Sequence, residues 1–187
     1  VVEAGCGWGS LALHLARAHG ARVTAYNISS EQIRYAREQA RAQGLSDRVE
    51  FREDDYRNIA GEYDAFVSVG MLEHVGPENY RRLGRVIDRC LVPDGRGLIH
   101  SIGRVARRPM DPWISRHIFP GSYAPTLEEM VAILSKRDFA VLDVEDLRLH
   151  YERTLAHWLE RFEKNAAEVE RRFDERFVRM WRLYLAG

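Results

Sequence analysis

The chain has 187 residues, 45% hydrophobic and 30% charged, an ordinary globular mix that excludes a disordered or collagen-like chain. Lys plus Arg and Asp plus Glu are equal at 28 each, so no bulk charge argues for a nucleic-acid partner. The only cysteines, Cys6 and Cys90, are too few for a disulfide framework and fit a reducing, cytoplasmic setting, and no apolar run of about 18 residues reads as a membrane span.

The chain opens on Val1-Val2-Glu3-Ala4-Gly5-Cys6-Gly7-Trp8-Gly9-Ser10. Apolar residues and one acid lead into Gly5-x-Gly7-x-Gly9, and a helical pattern follows at once. This is the strand, turn and helix of a nucleotide-binding α/β unit, in which glycines let backbone approach a ligand and the helix directs free N–H groups at it. The dinucleotide fingerprint needs G-x-G-x-x-G. Here the third glycine comes one residue early, the spacing methyltransferases use for the amino-acid end of S-adenosylmethionine. A nicotinamide-type oxidoreductase and a tight turn without a ligand remain as alternatives. A first strand beginning at residue 1 also predicts a chain cut short on that side.

The first helix, over Leu11, Leu13 and Leu15, is expected to end at a left-handed cap on Gly20. Residues 21–28 read as a second strand. Ser29-x-x-Gln32 is a capping-box signature for a helix to about Gly44, and a short strand follows over 48–51. Asp64–Val69 is the apolar run of a central parallel strand. Pro77 opens a helix through about Leu91, Pro93-Asp94-Gly95 reads as a turn, and 97–102 is a fifth strand. Strands alternating with helices predict a doubly wound, mostly parallel α/β sheet.

Residues 103–126, with Pro109, Pro112, Pro120 and Pro125, read as a long loop with little regular structure, a feature that is usually functional or disordered. A helix is expected over 127–136, where Glu128 and Glu129 favour its start, then a sixth strand over 140–144. From Leu155 to Tyr184 apolar residues recur at helical spacing. The aromatics of that stripe (Trp158, Phe162, Phe173, Phe177, Trp181, Tyr184) are expected to cover a core, with a channel wall or membrane-facing surface as alternatives. One domain is expected, with 1–102 as its cofactor half and 103–187 as its substrate half.

In a doubly wound sheet, ligands sit at the carboxyl ends of the strands. The glycine turn (Gly5, Cys6, Gly7, Trp8, Gly9) takes the amino-acid end of the cofactor. Asn27, Ile28 and Ser29, at the end of the second strand, fall where its ribose would lie, with Ser29 as a helix cap alone the alternative. Gln32 of the next helix is a further cofactor-site candidate, and Asp54-Asp55-Tyr56 falls where adenine would lie, with a solvated turn the alternative. Gly70-Met71-Leu72-Glu73-His74-Val75-Gly76 places Glu73 and His74 at the end of the fourth strand, and His100 lies near the end of the fifth. No metal site is expected.

Together these residues resemble the cyclopropane-fatty-acid synthase family and its mycolic acid methyltransferase relatives. The resemblance rests on Gly5-Cys6-Gly7-Trp8-Gly9, Ser29-x-x-Gln32, Asp55-Tyr56, residues 67–76 and Asn79-Tyr80. It continues through His100-Ser101-Ile102-Gly103, Asp111-Pro112-Trp113-Ile114, Ile118-Phe119-Pro120 and Tyr151-x-x-Thr154-Leu155-x-x-Trp158. Each motif alone is weak; their order over nearly the whole chain is specific.

The resemblance implies a Rossmann-like class I methyltransferase. Its reaction adds a methyl carbon from S-adenosylmethionine to the double bond of an unsaturated acyl chain of a phospholipid. A carbocation then loses a proton to a bound bicarbonate ion, and the cyclopropane ring closes. It also implies that Glu73, His100 and Tyr151, with the backbone of Ile102, hold the bicarbonate, and that His74 faces the cofactor. The segment 110–123 would line an apolar acyl channel, and Arg104, Arg107 and Arg108 are candidates for headgroups at the inner membrane face. A solvated loop is the alternative for those arginines. A homodimer is compatible with the pattern, and a small-molecule N- or C-methyltransferase of the same fold is the alternative function. Full members carry an N-terminal region that covers the cofactor and supplies a cysteine to the bicarbonate site, and they end in a further strand. This chain is expected to lack both, since Cys6 lies in the glycine turn and Gly187 falls within the helical pattern.

Overall fold

The computed structural model describes residues 1–135 and 138–187. The chain divides into two compact units, Val1–Met110 with Gly121–Val141, and Asp111–Pro120 with Leu142–Gly187.

The first unit holds β1 (Val2–Ala4), β2 (Val23–Asn27), β3 (Val49–Glu53), β4 (Tyr63–Val69) and β5 (Leu91–His100). All pairings are parallel, in the order β3-β2-β1-β4-β5. Connections leave the central β1 toward β2 on one side, and β4 on its other side continues to β5. The carboxyl ends of β1 and β4 therefore flank the switch point, where such sheets bind ligands.

Both faces of the sheet are covered, as the alternation along β2 shows. Val23 and Ala25 pack into one cluster with Ala12, Ala16, Ile33, Ala36 and Phe51. Tyr26 packs into another with Val2, Ala4, Phe66, Leu83 and Ile87, because successive strand residues point to opposite faces. The first cluster is built by α1 (Ser10–His19) and α2 (Ser30–Ala42). Their inward alanines let helix backbone approach the sheet closely. The second cluster is covered by α4 (Pro77–Cys90), whose buried Tyr80, Leu83, Val86, Ile87 and Cys90 recur on one face. A short α3 (Leu72–Val75) precedes it.

Gly20 closes α1 at φ 65°, its N–H reaching the Leu15 carbonyl, as the sequence predicts. Ser29 Oγ caps α2 by accepting from the Gln32 amide at 3.4 Å. The reciprocal half of that capping box is not made, since Gln32 Oε1 accepts instead from Asn27 Nδ2 at 2.6 Å.

Three expectations need correction. Pro93-Asp94-Gly95 is not a turn between elements but a bulge inside β5. Tyr63 stands opposite Leu91 and Ala65 opposite Arg96, so the surplus residues loop out, with Asp94 at φ 63°. Residues 103–126 are not structureless. Arg104 and Thr126 form a parallel bridge, and the stretch of sequence that separates them contains α5 (Pro112–His117), capped by Asp111. The third is the sixth strand over 140–144, which does not form. A strand needs a neighbour's backbone, and among the described residues this segment pairs with none; Leu142 is 81% exposed. The helix α6 (Leu127–Ser135) is present, and its expected end at Lys136 lies outside the described residues.

The second unit contains α5, α7 (Arg148–Arg172) and α8 (Glu175–Ala186). The two long helices part at Asp174, whose carboxylate accepts from the Phe177 amide at 2.6 Å, and Arg182 of α8 pairs with Glu163 of α7 at 2.7 Å. The stripe covers less core than expected, because α7 buries no residue fully. The stripe's aromatics beyond α7, Phe173, Phe177, Trp181 and Tyr184, pack on one another instead. Phe173 stacks on Phe177 (centroids 4.3 Å apart), Phe177 on Trp181 (5.9 Å), and Tyr184 meets Phe119 edge-on (5.7 Å).

Candidate functional site

The glycine turn is fixed from two sides. Gly5 and Cys6 N–H both donate to the Tyr26 carbonyl of β2, at 2.9 and 3.0 Å. Asn27 Nδ2 donates to the Gly7 carbonyl at 3.3 Å and to Gln32 Oε1. The three glycines have separate reasons. A Cβ on Gly5 would lie 2.8 Å from Met71 Cβ, and one on Gly9 would lie 2.7 Å from the Phe51 ring. Gly7, at φ 52°, has nothing within 4 Å of that position. Two glycines serve packing, and the middle one faces open space.

Around this turn, Trp8 (55%) and Ile28 (75%) are exposed apolar side chains. Ser29 caps α2, and Asn27 braces the turn through Gly7 and Gln32. Asp55 caps a short 3-10 turn over Tyr56–Asn58. Its carboxylate is held below its ordinary range by the Arg57 side chain, which outweighs partial burial. Half-buried Tyr56 packs against the core beneath.

One residue of this site was missed as a candidate. Glu3 is 2% exposed, its Oε2 has no partner, and burial pushes its carboxyl up to about 7 against a hydrogen bond from the Ala12 backbone. The signal was present in the sequence: an acid inside an otherwise apolar strand, two residues before the glycines. Burial, and then the neighbouring Glu3, raise the Cys6 thiol to about 12, which makes it a poor nucleophile.

A second cluster forms where β4 and β5 end. Gly70 N–H donates to the His100 carbonyl at 3.0 Å, locking the two strand ends together. Glu73, in α3, is buried. Its Oε1 accepts from the Ile102 N–H at 2.6 Å, and its backbone carbonyl accepts from the Tyr123 N–H at 2.8 Å. Its Oε2 is buried without a partner. The predicted pair Glu73 and Ile102 is therefore in direct contact. His100 stands at the end of β5 beside Val69 with its side chain exposed, and His74 follows Glu73 with its side chain also exposed. Tyr151 belongs to the second unit, where its hydroxyl lies 3.3 Å from that of Tyr184.

Two of the three arginines proposed for headgroups are engaged within the first unit. Arg104 lies over the Tyr123 ring at 5.0 Å, and Arg107 Nε meets Glu129 Oε1 at 3.2 Å. Tyr123, Thr126 and Glu129 were not among the candidates. Thr126-x-x-Glu129 carries the same capping-box signature as Ser29-x-x-Gln32, and here both halves form: Glu129 N–H to Thr126 Oγ1 at 3.2 Å, and Thr126 N–H to Glu129 Oε2 at 2.9 Å.

Compared with known families, the whole chain, residues 1–187, matches the model of mycolic acid cyclopropane synthetase. The chain belongs to this family. It is 39% identical over 186 residues to the cyclopropane-fatty-acyl-phospholipid synthase of Escherichia coli strain K12, an alignment covering 99% of this chain and 47% of that protein. Among solved structures, a cyclopropane synthase of Mycobacterium tuberculosis superposes with a TM-score of 0.91 at 24% identity. A mycolic acid cyclopropane synthase complexed with SAH and CTAB does so with 0.88 at 23%. In both cases the match covers 100% of this chain and 70% of the other. At such identities the likeness shows a shared fold, the Rossmann-like sheet of these family members. The chain spans about half the length of the curated relatives it matches.

Proposed function

We propose that the protein is an S-adenosylmethionine-dependent methyltransferase that adds a one-carbon unit to the double bond of an unsaturated acyl chain of a phospholipid, forming a cyclopropane ring. Bicarbonate is the small base of this reading. The observation on which it chiefly rests is Glu73, a buried carboxylate at the switch-point end of the sheet, with one oxygen clamped by the Ile102 N–H and the other without a partner.

The turn suits the cofactor. Gly7 leaves open space, Glu3 offers an unpartnered buried oxygen, and Trp8 and Ile28 present apolar surface beside it. When bound, S-adenosylmethionine supplies an electrophilic methyl group. An isolated double bond is a weak nucleophile that needs no deprotonation, so the chain's own residues serve to exclude water, position the acyl chain and hold the small base that receives one proton late in the reaction. Glu73 Oε2, buried and without a partner, is assigned to accept a hydrogen bond from the hydroxyl of the bicarbonate, which offsets the repulsion between the two anions. Whereas the Ile102 N–H, expected to hold the same anion, is engaged by Glu73 Oε1, the His100 side chain is assigned to that anion. Tyr151 is assigned to it on sequence pattern alone.

Gas chromatography of lipids from a host expressing the gene tests this reading. Cyclopropane acyl chains absent from the empty-vector control are expected. Unchanged lipids together with methylated small amines would replace it with the small-molecule methyltransferase alternative.

A further inference from the structure

Glu73 is held by two segments that are far apart in sequence, the exit of β5 and the approach to α6. The Ile102 N–H grips its carboxylate and the Tyr123 N–H grips its carbonyl. These two segments are themselves joined. Arg104 N–H donates to the Pro125 carbonyl at 2.9 Å, and Arg104 bridges Thr126. One residue ties the second segment down. Both carboxylate oxygens of Glu129 accept from the Tyr123 hydroxyl, at 2.9 Å each, and Oε2 also accepts from the Thr126 N–H at 2.9 Å. Arg107 completes the set from the solvent side, and the Arg104 guanidinium covers the Tyr123 ring.

We propose that Glu129 is a positioning residue: by fixing the Tyr123 hydroxyl and the Thr126 amide, it sets the backbone clamp that aims the Glu73 carboxylate. Glu129 touches neither the glycine turn nor Glu73. Its effect converges on Glu73, from Glu129 through Tyr123 to the Tyr123 N–H, and through Thr126 and Arg104 to the Ile102 segment. The chemical demand is strict, because a misplacement of about 1 Å at a reacting group can cost about 100-fold in rate. A carboxylate suits the task because it can accept at several points at once. The surrounding donors support its ionised form: burial raises the Glu129 carboxyl, and the Thr126 amide, the Tyr123 hydroxyl and Arg107 together overcome that and lower it.

The inference rests on the methyltransferase reading for its effect on turnover, and on geometry alone for its effect on backbone protection. Both are measured, in Glu129→Ala, Glu129→Gln and Tyr123→Phe. Amide hydrogen exchange should show the Tyr123 and Ile102 N–H groups exchanging about tenfold faster in Glu129→Ala and Tyr123→Phe, as expected for loss of a net hydrogen bond of about 1.4 kcal/mol. Protection of the β1–β3 amides should be unchanged. Glu129→Gln keeps an oxygen for Tyr123 and should restore most of the protection.

Turnover should fall about 10–100-fold in Glu129→Ala, while affinity for S-adenosylhomocysteine stays within about twofold. In a Glu73→Gln background the same change should cost nothing more, because the route ends at Glu73. Unchanged exchange at Ile102 and Tyr123 in Glu129→Ala overturns the inference whether or not the protein turns over lipid. A full additional loss in the Glu73→Gln background also overturns it, by showing a route that bypasses Glu73. If the unsubstituted protein leaves lipids unmodified, the methyltransferase reading fails, and the exchange data still decide the role of Glu129.

Discussion

Replacing Glu3 by Gln is expected to remove a pH dependence of stability. Glu3 is 2% exposed, and burial raises its carboxyl from an ordinary 4.5 to about 7. A carboxyl raised in the folded state prefers to be protonated there. Its stabilising contribution is therefore complete below about pH 4.5 and is lost as pH rises to about 7. At about 1.4 kcal/mol for each tenfold change, the ionised form costs on the order of 3 kcal/mol once pH exceeds the folded value. That is a large part of the roughly 5–15 kcal/mol by which domains are stable. Gln has nearly the same shape and does not ionise. Urea unfolding of both proteins between about pH 4 and about pH 8 measures the difference. The variant should gain on the parent steadily across this window, and any constant effect of the amide cancels from the slope. Parallel curves would refute the reasoning, because they would mean that Glu3 reaches solvent or a partner when charged.

Two further outcomes follow from the site. Glu73→Gln should lower turnover by about 100-fold or more, in the range expected for losing a proton-handling group, with S-adenosylhomocysteine affinity nearly unchanged by calorimetry; equal losses in both would move Glu73 into the cofactor site. Gly7→Ala should cost only about 1–2 kcal/mol for its left-handed backbone yet sharply weaken S-adenosylhomocysteine binding, because its Cβ would enter open space. Gly5→Ala, whose Cβ would strike Met71 at 2.8 Å, should instead lower the melting temperature more; the two effects are separated by thermal melts with and without ligand.

The elements read most directly were those whose signals are local. Gly20 ended α1 and Pro77 opened α4 where the sequence placed them, because caps and fixed dihedrals act within a few residues. Expectations about pairing fared less well. The apolar run over 140–144 has strand character, but a strand depends on a neighbour's backbone, which no local pattern encodes. Pro93-Asp94-Gly95 has turn chemistry, and the register of β4 against β5 turned it into a bulge.

The same division runs through the site. Glu73 and Ile102 were brought together by a family pattern as two holders of one anion, and their direct hydrogen bond, across 29 residues, was not foreseen. The hold of Tyr123 on Glu73 was out of reach because it is made by the backbone N–H, a group every residue but proline possesses. Glu3 and Glu129 were legible in principle. An acid within an apolar strand, and Thr126-x-x-Glu129, are both signals that physical reading can use.

The contact between Gly5 and Met71 has a kinetic consequence. The strands and helices up to Glu53 can assemble from neighbours close in sequence, whereas β1 meets β4 only across some 64 residues, Val2 opposite Phe66. Such distant pairings form late, after the chain has closed a long loop. The glycine turn thus acquires its Met71 wall at the end of folding and not at the beginning. During refolding, helical signal should therefore precede the ability to capture S-adenosylhomocysteine, and ligand capture would report the docking of the two sheet halves.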